Sequence, residues 1–248
     1  MQNRDQWQPT KFVMRGGRLR ASRDPEQVGV GSRLAADLTA AFYDANLRRH
    51  CRGRLIDLGC GDVPLYEAYR DLASEIVCVD WEQTQHTSAF VDRRCDLSQP
   101  LPFPDATFDT IILSDVLEHV PEPAVLWREM SRILAPGGKL IMNVPFYYCV
   151  HEAPHDYYRY TEFALRRSAD LEGFEIVLLE SAGGSPEVLA DIGAKHLQFV
   201  PVIGKTLAAA VQGVTHAFVR TTVGRKLSRR TAEAFPFGYF LIARKRSF

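Results

Sequence analysis

The sequence lacks the features of a membrane-spanning chain, a disulfide scaffold or a nucleic-acid binder. No uncharged apolar run reaches the ~20 residues needed to cross a bilayer. The first residues, Met1-Gln-Asn-Arg-Asp-Gln-Trp7, are polar and contain no signal-peptide core. The five cysteines (51, 60, 78, 95 and 149) are odd in number and form no C-x-x-C pair. That points to reduced thiols in a cytosolic protein, so the expected localisation is cytoplasmic. Net charge is missing too: 30 Lys and Arg balance 30 Asp and Glu, and no nucleic-acid partner is expected. Internal repeats and low-complexity segments are absent. No Gly-Lys-Ser/Thr follows the Gly59-Cys60-Gly61 turn, which excludes a P-loop there.

What is present is an ordinary globular balance, 46% hydrophobic and 24% charged, over 248 residues. This length suits one α/β domain with additions and is enough to bury a large core. The charges are unevenly spread. From Asp57 to Glu122 the acids far outnumber Arg70, Arg93 and Arg94, whereas basic residues dominate from Arg220 onward. An acidic centre suits a cationic ligand and a basic tail suits an anionic or membrane-associated one; solvated surface explains most individual charges equally well.

The chain is organised around Arg54-Leu-Ile-Asp-Leu-Gly-Cys-Gly61. Leu55, Ile56 and Leu58 form a short apolar run that stops at Gly59-Cys60-Gly61, with a helix expected over roughly 63–72. This reads as a buried strand, a tight turn and a helix. In an open α/β sheet such a turn lies at the carboxyl end of a strand, where ligands bind. A dinucleotide fold wants a third glycine where Pro64 stands, and Asp62 would repel its pyrophosphate. A sulfonium ligand without phosphate suits the turn better, with Asp57 facing its charged amino-acid part.

Further strands follow in order. Ile76-Val77-Cys78-Val79 ends at Asp80, about twenty residues past the turn, where an acid accepts hydrogen bonds from ribose hydroxyls. Trp81 packs either on an adenosine or on the core. Residues 89–97 read as a third strand leading to Asp96 and Leu97, and Thr110–Leu113 as a fourth. The helix after Pro121 and Pro123 presents Leu126, Met130, Ile133 and Leu134 on one face and ends at Pro136-Gly137-Gly138. Lys139–Val144 is a fifth strand, Phe174–Leu179 a sixth and Pro236–Arg244 the last. Thr161 is placed to cap a helix running to about Leu171. Short turns between β–α units imply a doubly wound parallel sheet.

Asp57-Leu-Gly-Cys-Gly61, Asp80, Asp96-Leu97, Phe108-Asp109, Leu117-Glu118-His119 and Leu134-Ala-Pro-Gly-Gly138, in this order, resemble the motifs of the class I S-adenosylmethionine-dependent methyltransferases of the small-molecule or glycan type. The usual third glycine of the first motif falls at Val63. The resemblance implies a Rossmann-like, mostly parallel seven-stranded sheet with an antiparallel last strand paired at the sheet edge. It implies S-adenosyl-L-methionine as cofactor and S-adenosyl-L-homocysteine as product. Cofactor-binding residues are then Asp57, Gly59, Cys60, Gly61, Asp80, Trp81, Asp96, Leu97, Ser114 and His119. Asp96 takes the adenine amino group and His119 lies near the methionine end.

The loop after the fifth strand is dense in polar and aromatic groups. His151-Glu152-Ala-Pro-His155 matches the zinc-protease string H-E-x-x-H, but Pro154 breaks the helix that chemistry needs. Clustering of His151, His155 and Asp156 would also allow a divalent cation; nothing else in the sequence supports one, and no metal is assigned. By resemblance the loop lies beside the methyl acceptor. His151, His155 and Asp156 are therefore base candidates for a hydroxyl acceptor. Tyr157, Tyr158, Arg159 and Tyr160 are substrate candidates. Hydrogen bonds that merely tie the loop down would account for the same residues.

The expected organisation is an irregular N-terminal arm and helices (1–50), a Rossmann-like core (51–182), a helical cap insert (183–231), then a final strand and basic tail (232–248). Helical spacing at Val30, Leu34, Leu38, Ala41, Phe42 and Ala45 places one or two helices over 27–50, before the first strand. In the insert, Leu207, Val211, Val214 and Phe218 repeat at the same spacing and are followed by Arg220, Arg225, Lys226, Arg229 and Arg230. This stripe either roofs the acceptor pocket or, through 206–230, contacts a membrane surface. The expected activity is O-methylation of a small molecule, sugar or glycan intermediate. N-methylation of an amine and a non-catalytic cofactor-binding regulator remain open beside it.

Overall fold

The computed structural model describes residues 1–83 and 89–247. A hairpin of β1 (Phe12–Arg15) and β2 (Arg18–Ala21) leads to α1 (Arg33–His50). Then come β3 (Arg54–Leu58), α2 (Tyr66–Tyr69), β4 (Glu75–Asp80), β5 (Arg93–Arg94), β6 (Phe108–Ser114), α3 (Pro123–Ile133) and β7 (Leu134–Pro145). The chain continues through α4 (Glu162–Leu171), β8 (Phe174–Ala182), α5 (Ser185–Leu197), α6 (Gly204–Val219), α7 (Thr222–Thr231) and β9 (Gly238–Lys245). The seven-stranded sheet has the order β5-β4-β3-β6-β7-β9-β8. Neighbours pair in parallel except β9, which is antiparallel to both β7 and β8.

Successive side chains of a strand point to opposite faces, so each central strand feeds two cores. Ile56, Ile111, Leu113, Leu140, Met142 and Leu241 face α3 and α4, against Leu126, Trp127, Met130 and Leu165. Leu55, Ile112, Ile141, Phe240 and Ile242 face α1, against Ala36, Ala40, Phe42, Tyr43 and Leu47. Burial on both faces is why these strands read as continuous apolar runs. Thr161 caps α4 by accepting from the Ala164 N–H at 3.2 Å.

Several expectations need correction. The N-terminal arm is ordered: Gly16 and Gly17, at φ 60° and 72°, turn the β1–β2 hairpin, and Trp7, Phe12 and Leu19 join the α1-side core. The helix after the glycine turn shrinks to one turn. Val63 takes φ 52°, outside helical backbone, and Tyr69 is held by its hydroxyl on Asp57. The third strand shortens to Arg93–Arg94, because the Asp92 carboxylate takes the Cys78 N–H in place of a longer ladder. The last strand is antiparallel and paired at the sheet edge as expected, lying one place in, against the edge strand β8. Its residues Gly238–Ala243 are buried throughout, whereas β8 alternates with exposed positions as an edge strand does.

Helices α5, α6 and α7, which follow β8 in the chain, pack on one another, and α5 and α6 also pack against the start of α1. Buried Gln212 ties α6 to the start of α1, accepting from the Leu34 N–H and donating to the Gly31 carbonyl, each at 2.8 Å. That satisfies an N–H with no intrahelical partner. The side of α6 packed inward is therefore Gly204, Ala208 and Gln212. Of the apolar stripe, Leu207, Val214 and Phe218 face out, 40%, 70% and 37% exposed, Val211 is half-buried, and none of the four lines either cavity described below, so the stripe does not roof them. Among the described residues no helix is long and apolar enough to cross a membrane.

Candidate functional site

The glycine turn follows β3 directly. Gly59 and Gly61 take φ 69° and 51°, and a Cβ on Gly59 would stand 2.6 Å from Val116 Cγ2. Only glycine allows the chain to pass there. Gly59 N and Cys60 N donate to the Val79 carbonyl at 2.8 and 3.0 Å. Asp80, ending β4, accepts from Gly61 N and from Trp81 N, both at 2.8 Å. Two strand ends are thus locked together beside an open cleft.

That cleft has a volume of about 580 Å³ and lies against the carboxyl ends of β3, β4 and β6. It fits the range of about 300–1,000 Å³ typical of ligand sites. Gly59, Cys60, Gly61, Asp80, Trp81, Asp96, Leu97, Ser114 and His119 all line it. Asp62, Asp115, Glu122 and Glu152 add carboxylates, facing Lys11. The donor set fits S-adenosylmethionine: carboxylates for ribose hydroxyls and for a cationic centre, exposed backbone at the glycine turn, and Lys11 for a carboxylate. Asp57 is the exception among the expected cofactor residues. It is buried beneath the turn, accepts the Tyr69 hydroxyl at 2.6 Å, and is pushed up to about 7 by desolvation.

A second chamber of about 210 Å³ adjoins the first. The two share Lys11, Gln27, Asp115 and Glu152. Its walls are mostly apolar, including Val28, Ala35, Leu38, Val144 and Phe240, with Thr39, Asn143, Tyr148 and His151 as polar points. Lys11 bonds Asp115 at 3.1 Å, so the segment before β1 closes over the junction.

The loop after β7 is clipped to the Leu117–His119 turn. Tyr157 N and Tyr158 N both donate to the Glu118 carbonyl, and His119 Nδ1 donates to the His155 carbonyl at 2.8 Å. The string from His151 to His155 is non-helical, as Pro154 required. His151 stands 3.1 Å from His119, Nε2 to Nε2. Its Nδ1 is 3.3 Å from both the Cys149 carbonyl and Asp156 Oδ2. Burial opposes charge on His151, but the Glu118 and Asp156 carboxylates outweigh it and raise its pKa. Glu118 is fully buried, desolvation raises its pKa, and among the described residues neither carboxylate oxygen has a hydrogen-bond partner.

The loop's candidate residues thus separate. His151 reaches the smaller chamber and His155 the larger, where its ring meets Trp81 and its Nδ1 the Tyr157 hydroxyl. Asp156 is locked by two hydrogen bonds from Arg159, at 2.6 and 2.8 Å, and one from His151 N, which hold its pKa well below the carboxylate range. It orients His151 and is a poor base. Of the substrate candidates only Tyr157 lines either of these two chambers, on the larger side. Arg159 is engaged by Asp156, Tyr158 donates to the Pro121 carbonyl, and Tyr160 is buried with its hydroxyl on the Leu117 carbonyl. Lys11, Gln27, Asp115, Glu118, Asn143 and Glu152 escaped the sequence reading. The Ser-Asp-Val-Leu-Glu-His run after β6 carried a signal for Asp115 and Glu118; the hairpin side of the site carried none.

Residues 56–142 match the family model described as a methyltransferase domain. Over 100 residues the chain is 34% identical to the ubiquinone biosynthesis O-methyltransferase of Xanthomonas oryzae pv. oryzae, covering 36% of this chain and 42% of that protein. The chain thus spans less than half the length of the curated relatives it matches. Among solved structures it resembles a [4+2]-cyclase, SpnF, with TM-score 0.56 at 22% identity over 97% of this chain and 87% of that one. It also resembles a Haemonchus contortus phosphoethanolamine N-methyltransferase solved with S-adenosylhomocysteine, with TM-score 0.52 at 16% identity over 84% and 53%. A cyclase on this fold means that fold alone does not assign the reaction. The matched domain and the sheet around it show a methyltransferase domain over residues 56–142 on a Rossmann-like fold, and the motif order is similar to that of the class I S-adenosylmethionine-dependent methyltransferases.

Proposed function

We propose that the protein transfers a methyl group from S-adenosylmethionine to a hydroxyl of a small, largely apolar molecule. The observation that carries this reading is the pair of joined chambers: a cofactor-sized, acid-lined cleft opens into a smaller apolar one across Lys11, Gln27, Asp115 and Glu152. S-adenosylmethionine supplies a methyl on a sulfonium, displaced in line by the acceptor oxygen. The protein's part is alignment, an effect that can contribute ~7–11 kcal/mol. Phe240, Val144 and Leu38 seat the acceptor body, and its hydroxyl meets the polar end at Asn143 and His151. The His119–His151 pair receives the proton, with Asp156 holding His151 in orientation; a general base contributes typically 10²–10⁴-fold. Because the raised His151 must be neutral to accept a proton, turnover should rise with pH through a value above 6.5, its ordinary pKa. The O-methyltransferase relative and the neighbour solved with S-adenosylhomocysteine support the reaction type and the cofactor.

Calorimetry with S-adenosylhomocysteine, followed by labelled-methyl transfer to a panel of phenols, sugars and amines, tests the reading. Micromolar binding and label on oxygen are expected. Label on nitrogen would move the acceptor class, and binding with no transfer would favour a regulatory cofactor-binding domain. No affinity for the homocysteine product would overturn the proposal.

A further inference from the structure

We propose that Glu118, His119 and His151 form a binding site for one divalent transition-metal ion of the zinc, cobalt or manganese kind. Three observations carry it. First, the spacing: His119 Nε2 and His151 Nε2 are 3.1 Å apart, and each lies 3.7 Å from Glu118 Oε1. Two ligands each about 2.0–2.1 Å from a tetrahedral zinc stand roughly 3.3–3.4 Å apart. The three atoms are therefore placed as three corners of one coordination shell.

Second, the tautomers. His119 Nδ1 faces a carbonyl, and His151 Nδ1 faces a carbonyl and a carboxylate. All three accept only, so both Nδ1 atoms carry the hydrogen and both neutral rings turn an Nε2 lone pair toward the other. Lone pairs 3.1 Å apart need a cation or a shared proton between them. Backing of a ligating histidine by a carboxylate or carbonyl is also the usual support for metal binding. Third, Glu118 is 0% exposed and its two oxygens lack hydrogen-bond partners among the described residues. A buried carboxylate left so is costly unless a charge meets it. This set differs from the His151, His155 and Asp156 cluster visible in the sequence, since Asp156 is already engaged by Arg159.

The site sits where the two chambers join, with His119 lining one, His151 the other and Glu152 both. Resting on the methyl-transfer reading, a metal there would take the acceptor oxygen in its open position and lower that hydroxyl's pKa. The oxygen forms its bond to the methyl carbon as the carbon–sulfur bond breaks toward sulfur. The hydroxyl proton passes to the half-exposed Glu152 carboxylate and on to solvent, since His151 Nε2 is then a ligand.

The test uses the full chain, stripped with a chelator and titrated with Co²⁺ by visible absorption and with Zn²⁺ by elemental analysis after dialysis. One equivalent of each is expected, and melting about 5–10 °C higher at a hundredfold excess of Zn²⁺ over Kd. Glu118→Gln, nearly isosteric, should abolish stoichiometric uptake, as should His151→Gln. Asp156→Asn, acting through His151, should weaken it about 10–100-fold. His155→Ala should leave uptake unchanged, because His119 is held by the backbone carbonyl there. Absence of uptake by the parent chain, or uptake indifferent to Glu118→Gln and His151→Gln, overturns the site. S-adenosylhomocysteine calorimetry on the same samples keeps the two readings apart. Product binding without metal uptake removes only the metal, and metal uptake without product binding removes only the methyl-transfer reading.

Discussion

Replacing Asp156 by Asn should loosen the loop that carries His151, and the structure sets the size of the effect. The carboxylate is 2% exposed; it accepts two hydrogen bonds from Arg159 and one from His151 N. A hydrogen bond to a charged group is worth ~1.5–3 kcal/mol. The amide keeps one acceptor oxygen and turns an N–H₂ toward another donor, so roughly two such bonds are lost. Arg159 is 24% exposed and regains some hydration, which brings the expected loss to ~2–3 kcal/mol, or about 4–12 °C in Tm for a chain of this length. The pH dependence has a definite sign. Arg159 depresses the folded pKa of Asp156, so its stabilisation is fully present above the unfolded value of about 3.9 and is lost as pH falls through the folded value. Parent and variant should therefore differ most at pH 6–7 and converge as the pH drops below about 4. Urea unfolding at pH 7, 5 and 3.5 measures this. A constant difference across that range, or one under about 0.5 kcal/mol at pH 7, would refute the assignment of Asp156 as the charged anchor of the loop.

Two further outcomes follow from the same geometry. Gly59→Ala combines a left-handed backbone with a Cβ 2.6 Å from Val116, so it should cost at least ~2 kcal/mol and weaken S-adenosylhomocysteine binding at least tenfold. Adding Val116→Ala should recover the steric part alone, and parent-like melting and affinity in Gly59→Ala would contradict the close approach. The outward stripe at Leu207, Val214 and Phe218 lies in a segment, 198–232, whose charged residues are Lys205, Arg220, Arg225, Lys226, Arg229 and Arg230. Such a surface suits anionic lipid, each basic residue adding ~1 kcal/mol. The parent should sediment with anionic vesicles at low salt and less at high salt. A triple serine variant should bind less while melting nearly as before. A large fall in its melting temperature would show the stripe to be packed, and no sedimentation of the parent at low salt would remove the membrane contact.

The sequence by itself determined the order of β–α units, the glycine turn, the acid ending β4 and the cap at Thr161. These depend on near neighbours: apolar runs with two buried faces, backbone room that only glycine allows, and one hydroxyl three residues from its donor. Most residues lining the larger cleft were legible for the same reason, because they sit at strand ends in a regular order. Asp57 and Val63 already needed the fold. Whether a strand-end carboxylate faces ligand or core depends on Tyr69, and the turn bends through Val63 where a helix was expected. The reactive end of the site was decided by tertiary structure. His119 and His151 are 32 positions apart and meet only because the loop after β7 is clipped to the turn after β6. Lys11 reaches Asp115 across 104 positions because a hairpin orders the N-terminal segment. The direction of the α6 stripe was equally undetermined by spacing, since one helical period serves an inward or an outward face. The buried pairing of Gln212 with the start of α1 chose outward.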